Sequence, residues 1–267
     1  KYRMAIPLKS KETKSIWKAL TSMIRHFNKA GIKLATVYGD QEFQVLRDKI
    51  DAIPGMKFNP ANAQEHEPRA ERNNQHLKNR FRGVFHCLPF NRFPRVMVQV
   101  LGSECARKAN WFCPGEGISQ IYSPHAVLNR RKIDYAKHCQ VPFGAYVQAH
   151  NEPDPLNSML PRTLDCIYLR TVHSQQGGHE LLNLRTGKVV NRRKVTKLPT
   201  TQAVIDLVHA LADQDGMSQG LKVETRSGIV LFDSSVIAGV DEALVEEIVE
   251  DDDDDVLNDD VNHLDAN

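Results

Sequence analysis

A single carboxylate follows directly after a short apolar segment in the first part of the chain. The stretch ATVYGDQEF, residues 35–43, runs from a strand-like segment through Gly39 into Asp40. Aspartate after a strand is a common turn residue and helix N-cap, which is one role for Asp40. The other role is chemical, because open α/β sheets place reactive groups at the carboxyl ends of their strands. Choosing between the two roles requires a partner for Asp40.

A second carboxylate, Glu71, begins the polar face of the basic segment PRAERNNQHLKNRFR, which we predict to be a helix. Four side chains fall within about 60° of one another on that face: Glu71, Gln75, Lys78 and Arg82. The face could be a ladder of salt bridges and hydrogen bonds between neighbouring turns. It could also join a metal-binding carboxylate to side chains that hold a phosphate backbone. Phosphodiester chemistry by two divalent ions requires that combination.

The cysteines are odd in number and irregularly spaced, at Cys87, Cys105, Cys113, Cys139 and Cys166. This pattern favours reduced, intracellular thiols over a disulfide framework. The pairs His86-Cys87 and His138-Cys139 could suggest zinc ligands, but no CxxC pair occurs, and we interpret them as ordinary core and surface residues. No apolar run is long enough to span a membrane, so we expect no membrane contact.

Charge is unevenly distributed along the chain. Residues 241–267 contain 13 Asp or Glu and no Lys or Arg, whereas the preceding residues carry 35 basic and 20 acidic side chains. A basic body suits a polyanionic partner such as nucleic acid. We expect the acidic tail to be solvated and disordered, although it could also shield the basic surface of the same chain.

Strand and helix patterns alternate through the first part of the chain, which predicts an α/β sheet. The predicted strands are YRMAIPL, IKLATVY and MKFN, at residues 2–8, 32–38 and 56–59. The first two should be parallel, because a helix joins them. The predicted helices cover approximately residues 10–31, 43–53, 68–87 and 94–111, with a short helix opened by Ser123 and Pro124.

Short β-like segments separated by turns replace this pattern after about residue 142. They predict a small β-barrel or a curled meander, and they are GAYVQAH, LDCIYLRTV, HELLNL and KVVNRRKVTKL. A helix is predicted in TTQAVIDLVHALAD and a hairpin in LKVETRSGIVLFD.

The order of these elements and motifs resembles a known family. Strand, helix, strand, GDQEF, helix and EHEPRAERNNQHLKNR are similar to the second part of a retroviral-type integrase core, specifically of a Ty1/copia-type retrotransposon polyprotein. The segments SPHAVLNRRKIDYAKHCQVPFGAYVQAH and QGGHELLNLRTGKVVNRRKVTKLP extend the resemblance to roughly residues 1–200. It implies an α/β chain with an incomplete RNase H-like fold and then a small β-rich, barrel-like domain. The expected organisation is a partial catalytic core at 1–125, a β-rich domain at 126–200, a helix and hairpin linker at 201–240, and the acidic tail at 241–267.

The resemblance also implies roles for individual residues. Asp40 matches the second carboxylate of the family's DDE triad and Glu71 the third, so both would be catalytic and would bind Mg²⁺ or Mn²⁺ in a two-metal site. Gln75 and Lys78 match positions that touch the DNA end, and Gln75 departs from the family because Lys is common there. The expected DNA-binding residues are Arg72, Gln75, Lys78, Arg80, Arg82, Arg192, Arg193 and Lys194.

Two further features depart from the family. The segment between Asp40 and Glu71 is shorter than usual, which makes Glu65 and Glu67 alternative ligands. Glu71 is preferred because it lies within the amphipathic helix. The family's first Asp lies upstream of the strand that residues 2–8 resemble, so we expect the chain to begin within a longer protein and to be inactive by itself.

Two functions follow from the sequence. The chain could be a fragment of an integrase that trims and joins DNA 3′ ends, acting on element ends and target DNA. Such an enzyme would be a homo-oligomer that assembles in the cytoplasm and works in the nucleus. Alternatively, the chain could be a non-catalytic nucleic-acid-binding remnant, in which the NRRKVTK segment supplies the phosphate contacts.

Overall fold

The computed structural model describes residues 1–60, 68–115, 117–151, 159, 161–172, 177–217, 222–224 and 230–233. The chain divides into two compact units, residues 1–217 and 218–267. The described residues of the first unit form a mixed α/β structure with helices and a five-stranded antiparallel sheet. Within the described ranges no helix is long and apolar enough to cross a membrane.

The helices are α1 (Thr13–Lys29), a 3₁₀ helix (Gln41–Leu46), α2 (Arg47–Asp51), α3 (Pro68–His86), α4 (Arg95–Ala109), α5 (Pro124–Asn129), α6 (Tyr135–His138) and α7 (Gln202–Gln214). The strands of the first unit are β1 (Thr36–Gly39), β2 (Lys57–Pro60), β3 (Tyr146–His150), β4 (Thr163–Thr171), β5 (His179–Asn183), β6 (Val189–Arg192) and β7 (Val195–Lys197). The second unit contains β8 (Lys222–Glu224) and β9 (Val230–Asp233), which pair antiparallel as the predicted hairpin. The predicted acidic tail lies outside the described residues.

A parallel pair of strands forms the centre of the N-terminal part. β1 pairs with β2 from Thr36 opposite Lys57 to Gly39 opposite Pro60. The buried side chains beside this pair are Ile24, Leu46, Ile50, Met56 and Phe58. They come from α1, the 3₁₀ helix, α2 and β2 with the residue before it. The predicted helix at α1 and the predicted strands at β1 and β2 are therefore confirmed. The apolar spacing of each element places one of its faces against this core.

The predicted strand at residues 2–8 is not formed. In the described residues no strand lies beside this segment to complete a ladder. Instead, the Arg3 backbone N–H donates to Asn110 Oδ1 at 2.7 Å, and Asn110 Nδ2 donates to the Arg3 carbonyl oxygen at 2.7 Å. The prediction was wrong because an apolar pattern indicates a segment that packs against a core, whereas a strand also needs a paired neighbour.

The antiparallel sheet has the strand order β6-β5-β4-β3-β7. β3 to β6 form a meander, and β7 returns to pair with β3 at the other edge. Within the described residues β6 and β7 are therefore the two edges. Of the two predicted forms, a small barrel or a curled meander, the meander is present and the sheet is not a closed barrel. The segment KVVNRRKVTKL, predicted as one strand, supplies both edges, since β6 ends at Arg192 and β7 begins at Val195.

The sheet is covered most completely at β4. Cys166, Ile167, Tyr168 and Leu169 in its middle are all buried. Cys166 and Tyr168 share one core cluster with Val147 and other side chains, and α4 contacts the same strand. This continuous buried run is typical of a central strand covered on both faces.

The C-terminal end of α4 joins the helices to the sheet. Arg107 Nη1 donates to the carbonyl oxygen of Thr171, the last residue of β4, at 3.1 Å. Its Nη2 donates to Oε2 of the buried Glu104 at 2.6 Å. Arg107 Nε also lies 2.6 Å from Glu104 Oε1, as an ion pair rather than a well-aligned hydrogen bond. The same guanidinium lies 5.1 Å from the ring centre of the fully buried Trp111.

The bonds between Asn110 and Arg3 generate a stability prediction. We expect Asn110→Ala to lower the free energy of unfolding by about 1–3 kcal/mol, because it leaves partly buried backbone groups of Arg3 without their partner. Urea unfolding of the full chain, followed by tryptophan fluorescence, measures this change. The exposed Asn91 supplies the control, since Asn91→Ala should change stability by less than about 0.5 kcal/mol. Equal losses for the two variants would show that Asn110 does not hold Arg3.

All five cysteines are free thiols, and burial divides them into two groups. Cys87, Cys113 and Cys139 are exposed, whereas Cys105 and Cys166 are buried. Burial raises the pKa of Cys105 and of Cys166 to about 11 in each case, so neither forms appreciable thiolate at pH 7. We expect a maleimide at pH 7 to label the three exposed thiols of the folded chain and all five in denaturant, as measured by mass spectrometry. Labelling of Cys105 or Cys166 at the rate of the exposed thiols would contradict this packing.

Candidate nucleic-acid interface

Asp40 lies directly after β1, at the carboxyl end of the strand. Its Oδ1 accepts a hydrogen bond from the Gln41 backbone N–H at 2.7 Å, and it forms the N-cap of the 3₁₀ helix. Gly39 allows the close packing before it, because a Cβ at that position would lie 3.1 Å from a ring atom of Phe58. The Asp40 side chain is exposed. It therefore serves as a cap at the edge of the sheet where the resemblance places a catalytic carboxylate.

Glu71 lies in the first turn of α3 and is exposed. A carboxylate is stabilised there by the positive end of the helix dipole. Among the described residues, no group of three or more His, Cys, Asp or Glu side chains is arranged to hold a metal ion. The alternative ligands Glu65 and Glu67 lie outside the described residues. Asp40 and Glu71 alone do not fit the two-metal site that the resemblance implies, and we derive no step through a metal.

The solvent-facing side of α3 carries most of the expected phosphate contacts. Its exposed residues include Arg72, Gln75, Lys78 and Arg80, whereas Arg82 is half-buried. The opposite side packs against the start of α4, where the buried Phe85 ring lies 4.8 Å from that of Phe93. The amphipathic helix predicted from the sequence is therefore confirmed, and Arg72, Lys78 and Arg80 face solvent.

Arg3 adds a cation beside this face. Its Nε donates to Oδ1 of Asn73 on α3 at 2.7 Å, and burial together with the charge of Arg80 lowers the pKa of Arg3. Arg80 Nε donates to His76 Nε2 at 2.9 Å. Burial, with the charges of Arg3 and Arg80, lowers the pKa of His76, so the ring is neutral at pH 7 and can accept this bond. Sequence reasoning missed Arg3, because its contact with α3 spans 70 residues and leaves no local pattern.

The second expected phosphate-binding segment connects the two edge strands of the sheet. Arg192 ends β6 and is half-buried, and its Nη1 donates to the carbonyl oxygen of Asn191 at 2.8 Å. Arg193 and Lys194 are exposed in the connection to β7. The Lys194 carbonyl oxygen accepts a hydrogen bond from the His150 N–H at 3.1 Å, which holds the connection against β3.

A groove brings the basic helix and the sheet together. We call it the basic groove; its volume is about 470 Å³, and its lining includes Arg80, Leu88, Leu101, Lys108, Phe143 and Lys197. Its three cations come from α3, α4 and β7. The lining carboxylate, Glu104, is already paired with Arg107, so the groove presents a positive surface. Lys108 and Lys197 were not predicted from the sequence, because their convergence with Arg80 depends on tertiary packing.

No protein-family model matches the chain, and no curated protein matches it either. The assignment of a function therefore rests on the residues and the geometry of the basic helix, the connection between β6 and β7, and the basic groove.

Proposed function

We propose that this chain binds nucleic acid through phosphate contacts, as part of a Ty1/copia-type retrotransposon integrase. The observation that carries the proposal is the cationic face of α3, extended by Arg3 on one side and by the basic groove on another. Exposed arginine and lysine side chains on one face neutralise backbone phosphates without reading sequence. DNA is the polyanion that the resemblance implies for this surface.

We further propose that the N-terminal part is an incomplete RNase H-like layer. The order of α1, β1, β2 and α3 supports this, and so does the parallel pairing of β1 with β2. In the described residues β1 pairs only with β2. An apolar groove of about 290 Å³ lies next to β1 and is lined by Ile6, Leu8, Val37 and Phe43, among others. Sheets usually contain about four to six strands, so further strands beside β1 would complete the layer.

The proposed parent reaction is the processing and joining of DNA 3′ ends, in which water or a DNA 3′-hydroxyl attacks a backbone phosphorus and the P–O3′ bond breaks, which releases a 3′-hydroxyl as the leaving group. Asp40 and Glu71 would act there with an upstream aspartate. We assign no catalytic step to this chain, because its described carboxylates do not form a three-ligand group. The second candidate function, a non-catalytic nucleic-acid-binding remnant, is favoured by one observation. Asp40 already has a structural role as the cap of the 3₁₀ helix.

The electrostatic part of this proposal predicts that the affinity of α3 for DNA decreases as the salt concentration rises. Arg72→Ala with Lys78→Ala should weaken binding to unrelated DNA sequences. It should also reduce the slope of log affinity against log salt by about 0.9 for each phosphate that the variant no longer neutralises. These two residues are better targets than Arg82, which is half-buried. Fluorescence anisotropy with labelled duplexes over a series of salt concentrations measures both effects.

The matched control places the same loss of charge on another helix. Lys14 and Lys18 are exposed on α1, so Lys14→Ala with Lys18→Ala removes two cations away from α3. We expect this control to leave the salt slope nearly unchanged. Equal slopes for the wild-type chain and the α3 variant would show that other residues contact the phosphates, and Arg193 and Lys194 would be the first candidates.

The catalytic part of the proposal concerns Asp40 in a protein extended by the upstream strands and their aspartate. Mg²⁺-dependent strand transfer should fall by about two or more powers of ten after Asp40→Asn or Glu71→Gln. Asparagine retains an oxygen that can accept the Gln41 N–H, so the cap should survive. Asp48→Asn, at an exposed carboxylate on α2, is the isosteric control. Near-normal activity of the Asp40→Asn protein would leave Asp40 only its structural role.

A further inference from the structure

The basic groove combines an apolar floor with a cationic rim. Leu88, Leu101 and Phe143 contribute apolar side chains from the segment after α3, from α4 and from the segment before β3. Its volume of about 470 Å³ lies within the range of about 300–1,000 Å³ that is usual for small-ligand pockets. An occupant that fits this lining has an apolar body and an anionic group.

The cations of the rim converge from three separate elements. Arg80 lies on α3, Lys108 on α4 and Lys197 on β7. Burial raises the pKa of the Cys105 thiol in the groove wall; the charge of Arg80 lowers it, that of Glu104 raises it, and that of Lys108 lowers it. Arg80 and Lys108 therefore lie near the same part of the groove as Glu104, whose carboxylate is paired with Arg107. An anionic group there would meet positive charge from more than one side.

Arg80 belongs both to the groove and to the exposed face of α3. A nucleic-acid strand held along α3 would therefore bring its next phosphate to the mouth of the groove. Paired bases are stacked inside a duplex, whereas an unpaired nucleotide can place its base and its phosphate in one groove. The flat face of a base also packs well on apolar side chains.

We propose that the basic groove binds one unpaired nucleotide of the strand that α3 holds. The base packs on the apolar floor, and its phosphate lies among Arg80, Lys108 and Lys197. This inference rests on the proposed nucleic-acid binding and deepens it, because it adds a preference for single-stranded ends or overhangs over blunt duplex. The preference follows from the shape of the groove and does not depend on base sequence.

The native cysteines supply a direct test with the full chain. Cys87 is exposed and lines the groove, whereas the exposed Cys113 and Cys139 lie outside its lining. A short single-stranded oligonucleotide at ten times its Kd should slow maleimide labelling of Cys87 about tenfold. Cys113 and Cys139 should keep their rates in the same sample. An unchanged Cys87 rate at saturation would overturn the proposal.

Three small probes identify which chemistry occupies the groove. Deoxyadenosine monophosphate should protect Cys87, and inorganic phosphate and octyl phosphate should protect it much less at equal concentration. Equal protection by inorganic phosphate would mean that the groove holds only an anion. Equal protection by octyl phosphate would mean that it selects any apolar body rather than a base. Either result would overturn recognition of a nucleotide.

A variant that fills the groove without removing charge tests the same inference. Gly83 lines the groove, and a Cβ added there meets no atom within 4 Å, so Gly83→Leu should fold. This variant should lose the preference for an overhang duplex over a blunt duplex and retain its blunt-duplex affinity. Gly102→Leu, at an equally open glycine on α4 outside the groove lining, is the control. If circular dichroism shows that Gly83→Leu does not fold, the protection of Cys87 in the wild-type chain is the measurement that tests the proposal.

The outcomes separate this inference from the proposed function. If duplexes bind but Cys87 is unprotected and Gly83→Leu changes nothing, the nucleotide site is wrong and phosphate binding by α3 stands. If no duplex binds but deoxyadenosine monophosphate protects Cys87, the proposed function fails and the groove remains a nucleotide site.

Discussion

The contacts of Arg107, which is ion-paired with the buried Glu104 on α4, join the helices of the first unit to its sheet. Arg107 reaches the end of β4 through the Thr171 carbonyl oxygen and covers the ring of Trp111, so one side chain fixes α4 against the sheet. Loss of one partner of a buried pair typically costs about 3–5 kcal/mol, because the other charge remains buried. On the next turn, Asn110 attaches the N-terminal segment to the same helix. The same helix supplies Leu101, Glu104 and Lys108 to the basic groove, so these contacts position one of its walls.

Arginine has two different uses in this structure. Among the described residues, arginines form ion pairs with carboxylates: Arg92 with Asp213, Arg107 with Glu104, and Arg170 with Glu180. The cations proposed to bind nucleic acid lie on the solvent side of α3 and at the rim of the groove. This division explains how a chain with a basic body can keep an ordered core and still offer charge to a polyanion.

The order of the N-terminal elements and the parallel pairing of β1 with β2 support the proposed integrase origin. The described carboxylates do not add to that support, because they form no group that could hold a metal ion. Most sheets contain more strands than the two short parallel strands here, and the proposed incomplete layer would account for that. Asp40 lies at the strand end where such layers place reactive groups, but its carboxylate caps a helix there. The proposed binding function depends on α3 and the groove, and therefore stands apart from the question of catalysis.

The sequence by itself determined the local elements and the chemical character of α3. Apolar spacing at 3.6 residues predicted α1 and α3, and the turn residues predicted the short strands, because these patterns depend on neighbours in the chain. It also placed Asp40 after a strand and the cations on one helical face. Tertiary structure alone decided that residues 2–8 are not a strand, that one basic segment supplies both edges of the sheet, and that Arg80, Lys108 and Lys197 meet in a groove. Those features depend on contacts between residues far apart in the chain, and such contacts leave no periodic signal in a single sequence.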